Sequence, residues 1–245
     1  FSGDRYTDST GKNNPLRFSK ISAGLRYTFP QSSPRSQLHR YIQFKTFYFG
    51  EEQLRFDRDT INQLDIISYP VSTRYLNQLQ AVFENRRVLY PWRLEMQAEQ
   101  AKDFIRLAVT GEYFFNYAKG GGMELRLFAG KFIYLGEKTF SKQFATDAFH
   151  LNMTGARGYE DYTYSNYFFG RNAFTGLASQ QLMRRDGFFK VGTDLLSSKV
   201  GKSDNWIAAA NFCSDIPKSI NPLQVLPIKI PLKVFVDVGT YAEAW

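Results

Sequence analysis

The sequence predicts an all-β chain: an antiparallel up-and-down transmembrane β-barrel, with its closing strands expected beyond Trp245. Three observations carry this expectation. Apolar and polar residues alternate with a period of two over long runs, which is the signature of strands with one apolar face. Those runs are joined by short turns and are much longer than the usual strand of about 5–6 residues. Aromatic residues make up 17% of the chain, as interfacial girdles of a membrane barrel require.

The elements follow in order. In residues 15–29, Ile21, Ala23, Leu25, Tyr27 and Phe29 fall on one face and Lys20, Ser22, Gly24, Arg26 and Thr28 on the other. After the turn-rich PQSSPRSQ, a strand resumes at LHRYIQFKTFYF. Trp92, Leu94, Met96 and Ala98 then oppose Arg93, Glu95, Gln97 and Glu99. Beyond a tight AKD turn, Ile105, Leu107, Val109, Gly111, Tyr113 and Phe115 oppose Arg106, Ala108, Thr110, Glu112 and Asn116. The KGGG at 119–122 offers the positive φ angles of a hairpin turn, and it leads into Met123, Leu125, Leu127 and Ala129 opposite Glu124, Arg126 and Phe128. Near the end, Ile228, Ile230, Leu232, Val234, Val236 and Val238 oppose Lys229, Lys233 and Asp237, with Pro231 favouring an edge or bulge.

Strand length points to a bilayer. A strand over residues 104–117 reaches about 46 Å at ~3.3 Å per residue and rises about 35 Å when tilted by ~40°, against an apolar band of about 25 Å. Residues 1–245 read as a single barrel domain of about 10–13 strands. Two longer regions interrupt the meander. Residues 50–72 contain RDTINQLDII, which has the composition of a short helix, and residues 136–186 form an aromatic, glycine-containing stretch; in a barrel both are expected as extracellular loops or a plug, the latter region being the candidate lumen plug. Both chain ends read as cuts, without an apolar leader at the start.

Composition limits the chemistry. The net charge is +8 and the pI about 9.4. The basic residues are spaced singly through strands rather than in blocks, so no nucleic-acid partner is expected. Mean hydropathy is −0.37, and no apolar run is long enough for a membrane helix; alternating strands hide from both measures. One cysteine, Cys213, permits neither an internal disulfide nor a cysteine-based zinc site. The two histidines, His39 and His150, lie far apart and lack a partner motif. Glu160 and Asp161 form one acidic dipeptide, which reads as a solvated loop. No catalytic residue, metal or cofactor is expected within these residues, and enzyme status stays open.

The stretch GARGYEDYTYSNYFFGRN, 155–172, holds ARGY at 156–159, and FVDVG follows at 235–239. Together these resemble the paired motifs of the BamA-like bacterial surface-antigen barrels, an arginine–glycine–aromatic loop and an FxDxG strand. The resemblance implies that the loop folds into the lumen and that Arg157 pairs with Asp237 on the inner wall, with Asp194 as a second candidate partner. Gly158 and Tyr159 belong to the loop motif; Phe235 and Gly239 belong to the strand motif. Ala156 stands where that family favours a larger aliphatic residue. More loosely, residues 170–245 resemble the C-terminal region of Bacteroidetes outer-membrane proteins, in which an aminopeptidase-like gluzincin metallopeptidase precedes a barrel.

The expected function is therefore a barrel in the bacterial outer membrane that anchors or exports an attached, metallopeptidase-like domain. Its expected partners are outer-membrane lipid, lipopolysaccharide and a fused or associated periplasmic or surface domain. Three alternatives stand beside it: a BamA-like assembly or translocation pore, a barrel that is itself an enzyme, and a soluble β-rich binding module.

Overall fold

The computed structural model describes residues 2–7, 13–52, 55–58, 65–68, 70–117, 121–136, 149–154, 162–163, 165, 183–192, 200–217, 220–225 and 232–242, with residues 2–7, 13–17, 55–58, 65–67 and 224–225 described by backbone alone. Among the described residues thirteen strands run in chain order: β1 (Ser2–Thr7), β2 (Asn13–Thr28), β3 (Leu38–Glu52), β4 (Arg55–Arg58), β5 (Asp65–Ser68), β6 (Val71–Asn85), β7 (Trp92–Gln100), β8 (Phe104–Asn116), β9 (Gly122–Tyr134), β10 (Leu151–Asn152), β11 (Lys202–Ser203), β12 (Trp206–Asp215) and β13 (Lys233–Tyr241). Nine of them form one antiparallel sheet in the order β1-β2-β3-β6-β7-β8-β9-β12-β13. Each strand pairs with the next long strand of the chain, so the sheet is a meander. Its two edge strands, β1 and β13, are not paired with each other among the described residues.

The strands are joined at one end of the sheet through residues 29–37, 86–91, 117–121 and 216–232, and at the other through 8–12, 53–70, 101–103 and 135–205. The first is the short-turn end, the second the long-loop end. In the 117–121 turn, Gly121 takes φ 82°, and the Tyr117 amide donates to the Gly121 carbonyl at 3.0 Å. This is the positive φ that a side chain would disfavour and glycine allows.

One expectation is refined. The 50–72 region carries the short hairpin β4–β5 rather than a helix at its described residues, with Arg55 opposite Ser68 and Asp57 opposite Ile66. The β-branched Ile66 and Ile67 favour this pairing. The last strand is described from Lys233 to Tyr241, and Ile228, Lys229, Ile230 and Pro231 lie outside the described residues.

The two faces of the sheet are inverted relative to a soluble protein. Outward positions are apolar and open: Ile21 is 71% exposed, Leu25 80% and Val238 58%. Inward positions include Glu99, Arg106, Arg126 and Asn211, all buried. An apolar cluster also lies on the inner face, where Phe47, Phe49, Leu76, Phe104, Phe132 and Ile207 pack against Leu151, Met153 and Tyr162. The segments around 149–154, 162–163 and 183–192 thus form an inner layer covering part of the sheet.

Candidate functional site: a charged inner face and the segment it holds

Strand alternation and register bring charges on separate strands into line. On the inner face His39, Glu84, Arg93, Glu112, Arg126, Asn211 and Asp237 stand opposite one another in sequence across β3, β6, β7, β8, β9, β12 and β13. A second row runs Lys45, Gln78, Glu99, Arg106 from β3 to β8. Directly opposed charges of opposite sign support strand pairing on an antiparallel sheet. The register therefore turns scattered single charges into a continuous polar ladder.

The inner segment docks on this ladder. Arg106 donates from Nη2 to Asp186 Oδ1 at 2.8 Å and from Nη1 to Glu99 Oε2 at 3.2 Å. Gln78 and Gln97 donate to the other oxygen of Glu99 at 2.7 and 2.6 Å. Asp186 Oδ2 accepts from the Asn152 amide at 3.2 Å, which ties the segment to β10. Buried ions persist only where their lone pairs and protons are met, and here each carboxylate has several donors.

Wall side chains also capture the backbone of the turn at 185–188. Arg126 Nη1 donates to the Asp186 carbonyl at 2.7 Å, and Asn211 Nδ2 donates to the Gly187 carbonyl at 3.0 Å. The turn is closed by the Phe188 amide donating to the Arg185 carbonyl at 3.1 Å. Asp186 and Phe188 both sit at φ 48°. Aspartate tolerates this left-handed region, but phenylalanine rarely adopts it. Backbone strain of this kind survives when surrounding contacts overdetermine it. Next along the segment, Lys190 binds Asp237 twice, through its amide at 2.9 Å and Nζ at 2.8 Å. Asn211 Nδ2 donates to the same carboxylate at 3.0 Å.

The aromatic stretch contributes Tyr162 and Thr163 to the described inner layer, both buried. The Tyr162 ring stacks on Phe149 at 5.6 Å and meets Phe104 edge-on at 5.4 Å. Its hydroxyl donates to Glu99, and its carbonyl accepts from Arg74. Arg74 also binds Glu51 through Nε at 2.8 Å and covers the Phe49 ring at 4.0 Å. Lys20 Nζ donates to the Thr163 carbonyl at 2.7 Å. A tyrosine suits this place because its ring fills apolar space while its hydroxyl satisfies a buried carboxylate.

Of the residues singled out from sequence, Phe235, Asp237 and Gly239 all face inward on β13, and the first two meet Lys190: Asp237 through its carboxylate and Phe235 through its ring, 5.1 Å from Nζ. A Cβ on Gly239 would stand 2.7 Å from Met153 Sδ and 3.0 Å from Phe189, so the glycine admits the inner layer to the wall. Arg157, Gly158, Tyr159, Glu160, Asp161 and Asp194 lie outside the described residues. His39 approaches Gln31 through Nδ1 at 3.4 Å on the short-turn side of β3, whereas His150 adjoins β10 in the inner layer. Cys213 is a free thiol on β12. Sequence reading placed Glu99, Arg106 and Arg126 on the polar face, but it missed Asp186, Lys190 and Asn211 as the groups that complete the network. The available signal was RRDGFFK at 184–190, a charged turn sequence with one glycine.

A cavity of about 1000 Å³ remains between wall and inner segment, lined among others by Lys45, Glu95, Arg106, Thr163 and Asp186. At its rim Arg184 binds Glu112 at 2.9 Å and also pairs with Glu124. Burial works against the Arg184 cation, but the Glu124 and Glu112 contacts outweigh it and raise its pKa above the ordinary value. Among the described residues, no group of three or more His, Cys, Asp or Glu side chains is placed to hold a metal ion. The arrangement is suited to holding a segment of chain against a polar wall. A scan against protein-family models gives no match, and a search of curated proteins finds no similar sequence.

Proposed function

We propose that the sheet is the wall of a transmembrane β-barrel in a bacterial outer membrane, and that the inner layer is its plug. The barrel then serves as a membrane anchor for an attached domain rather than as a standing open pore. The observation that carries this reading is the inversion of the two faces, with aliphatic residues open on the outside and ion pairs buried inside. Lipid would cover the outer face, and the charges would line a lumen, as in outer-membrane barrels.

Three further features support the reading. The 13 residues of β8 reach about 43 Å at ~3.3 Å each, enough to cross a tilted apolar band of about 25 Å. The longest connections, 53–70 and 135–205, leave the same end of the sheet, as the extracellular loops of such barrels do. Asp237 and Gly239, the FxDxG residues of the BamA-like resemblance, both serve the contact with the inner layer. That resemblance also motivates the attached, metallopeptidase-like domain as the cargo being anchored.

The test is gel mobility of the full-length protein refolded in detergent, run with and without boiling. A compact band that needs heat to unfold is expected, together with little steady conductance in a planar bilayer. A protein that stays soluble without detergent and shows no heat shift would rule out the membrane reading. A large persistent conductance from the wild type would replace the anchor by the translocation-pore reading.

A further inference from the structure

The short-turn end carries a charge bias that the anchor role does not use. Its four connections contain Arg35, Arg86, Arg87, Lys119, Lys218 and Lys229 in sequence and not one Asp or Glu. The long-loop end differs: its connections mix both signs, with Asp57, Asp59, Asp65, Asp103, Glu137 and Asp147 among the acids. In sequence, the connections that join strands at the short-turn end are thus basic without any acid, whereas those at the other end carry both signs.

Local geometry concentrates the bias at two neighbouring turns. The Arg86 amide donates to the Gln37 carbonyl at 3.0 Å, which joins turn 86–91 to turn 29–37. Arg35, Arg86 and Arg87 are all exposed, and Arg40 lies beside them, with its guanidinium 5.7 Å from the Phe29 ring. The nearest acid on this rim, Glu84, pairs with Arg86 at 2.9 Å, and the Arg86 pKa is raised by that bond. Arg35, Arg40 and Arg87 have no carboxylate partner among the described residues.

Apolar tips accompany the arginines. Val88 is 86% exposed, Leu89 60% and Tyr90 48%, and across the same end Ile220 is 71% exposed. Tyr90 also sits at φ 55°, where a non-glycine residue is uncommon. A cationic rim with aliphatic tips, continuous with an apolar outer face, fits one kind of surface. Arginine forks match phosphate oxygens, and aliphatic side chains enter the headgroup–acyl boundary.

We infer that the rim formed by Arg35, Arg40, Arg86 and Arg87 with Val88 and Leu89 binds the headgroups of anionic phospholipids in the leaflet at the short-turn end. This rests on the membrane reading. Electrostatic attraction draws the headgroup phosphate to the arginines, and Val88 and Leu89 fix the depth of the turn. Such contacts select lipids by charge and weaken as salt screens them.

Trp92 begins β7 directly after this turn and serves as the reporter; Trp206 starts β12 at the opposite end and serves as the control. Full-length protein with Trp245→Phe is folded into phosphatidylcholine vesicles containing brominated phosphatidylglycerol or, separately, brominated phosphatidylcholine. Versions with Trp206→Phe or Trp92→Phe isolate each reporter. The glycerol lipid is expected to associate around Trp92 about two- to fivefold more strongly than the choline lipid, with no preference at Trp206. Arg35→Gln/Arg87→Gln and added salt should each bring the Trp92 ratio towards one, and free inorganic phosphate at matched ionic strength should leave it unchanged. Equal quenching by both lipids at Trp92, a preference at Trp206 instead, or a preference unmoved by the arginine substitutions would each overturn the inference. Absence of quenching by either lipid at either tryptophan would overturn the membrane reading itself.

Discussion

Arg106 on β8 and Asp186 on the inner segment meet at 2.8 Å, with only 4% and 3% of their side chains exposed. This ion pair is one of the buried links between the sheet and the inner layer. It explains how a sheet with a charged inner face stays ordered, because the inner segment supplies the groups the wall needs.

Arg106→Ala leaves Glu99 and Asp186 buried with fewer donors, and a loss of about 3–5 kcal/mol is expected. Asp186→Asn should cost less, since Glu99 still receives Arg106 at 3.2 Å. Thermal unfolding of the detergent-solubilised protein gives both values. Equal effects from the two substitutions would show that the Asp186 contact, not burial of Glu99, sets the cost.

Gly239 tests whether the inner layer touches the wall as closely as the geometry requires. Gly239→Leu drives a side chain into Met153, and a loss of about 1–3 kcal/mol is expected from overpacking. Met153→Ala should recover part of that loss in the double variant, read as a coupling in thermal unfolding. Additive losses would mean that Met153 does not occupy this space.

Tyr162 separates ring packing from hydroxyl chemistry. Tyr162→Phe removes one donor to Glu99, which keeps Gln78, Gln97 and Arg106, so about 1–3 kcal/mol is expected. Tyr162→Ala also removes the stack on Phe149 and should cost about 3–5 kcal/mol. Limited proteolysis within residues 183–192 provides a second readout, because release of the inner layer would expose that segment. If the two variants behave alike, the ring does not anchor the layer.

Asp237 receives three donors, two of them from Lys190. Asp237→Ala should therefore loosen the inner segment, with a loss of about 1.5–3 kcal/mol for hydrogen bonds to a charged group. Lys190→Met should produce a smaller loss, because the residue keeps its backbone donor. Proteolytic release of residues 183–192 measures both, and unchanged protection in Asp237→Ala would contradict the docking role.

The sheet was legible in the sequence and the contacts of the inner layer were not, for a physical reason. Alternation over Ile105, Leu107 and Val109 against Arg106, Ala108 and Thr110 fixes which side chains share a face, because a strand has a period of two. It places Glu112, Arg126 and Asp237 on polar faces, yet only the register reveals that they line up across strands. The contacts of Asp186 and Lys190 come from a turn without any period, so no local pattern reports them. RDTINQLDII mixes helix-compatible spacing with β-branched residues, and pairing with Arg55–Arg58 decides in favour of a strand at Asp65–Ser68. Asp237 was recognisable through the FVDVG motif, whereas its described partners Lys190 and Asn211 were not.

The central claim is that the apolar face of the sheet meets lipid. Single nitroxide labels at residues 105 to 113, in a Cys213→Ser background in phospholipid vesicles, test it most directly. The account expects a period of two, with 105, 107, 109, 111 and 113 open to oxygen and closed to a water-soluble nickel chelate, and 106, 108, 110 and 112 shielded from oxygen. Odd positions reached by the chelate, or accessibility without a period of two, would contradict it.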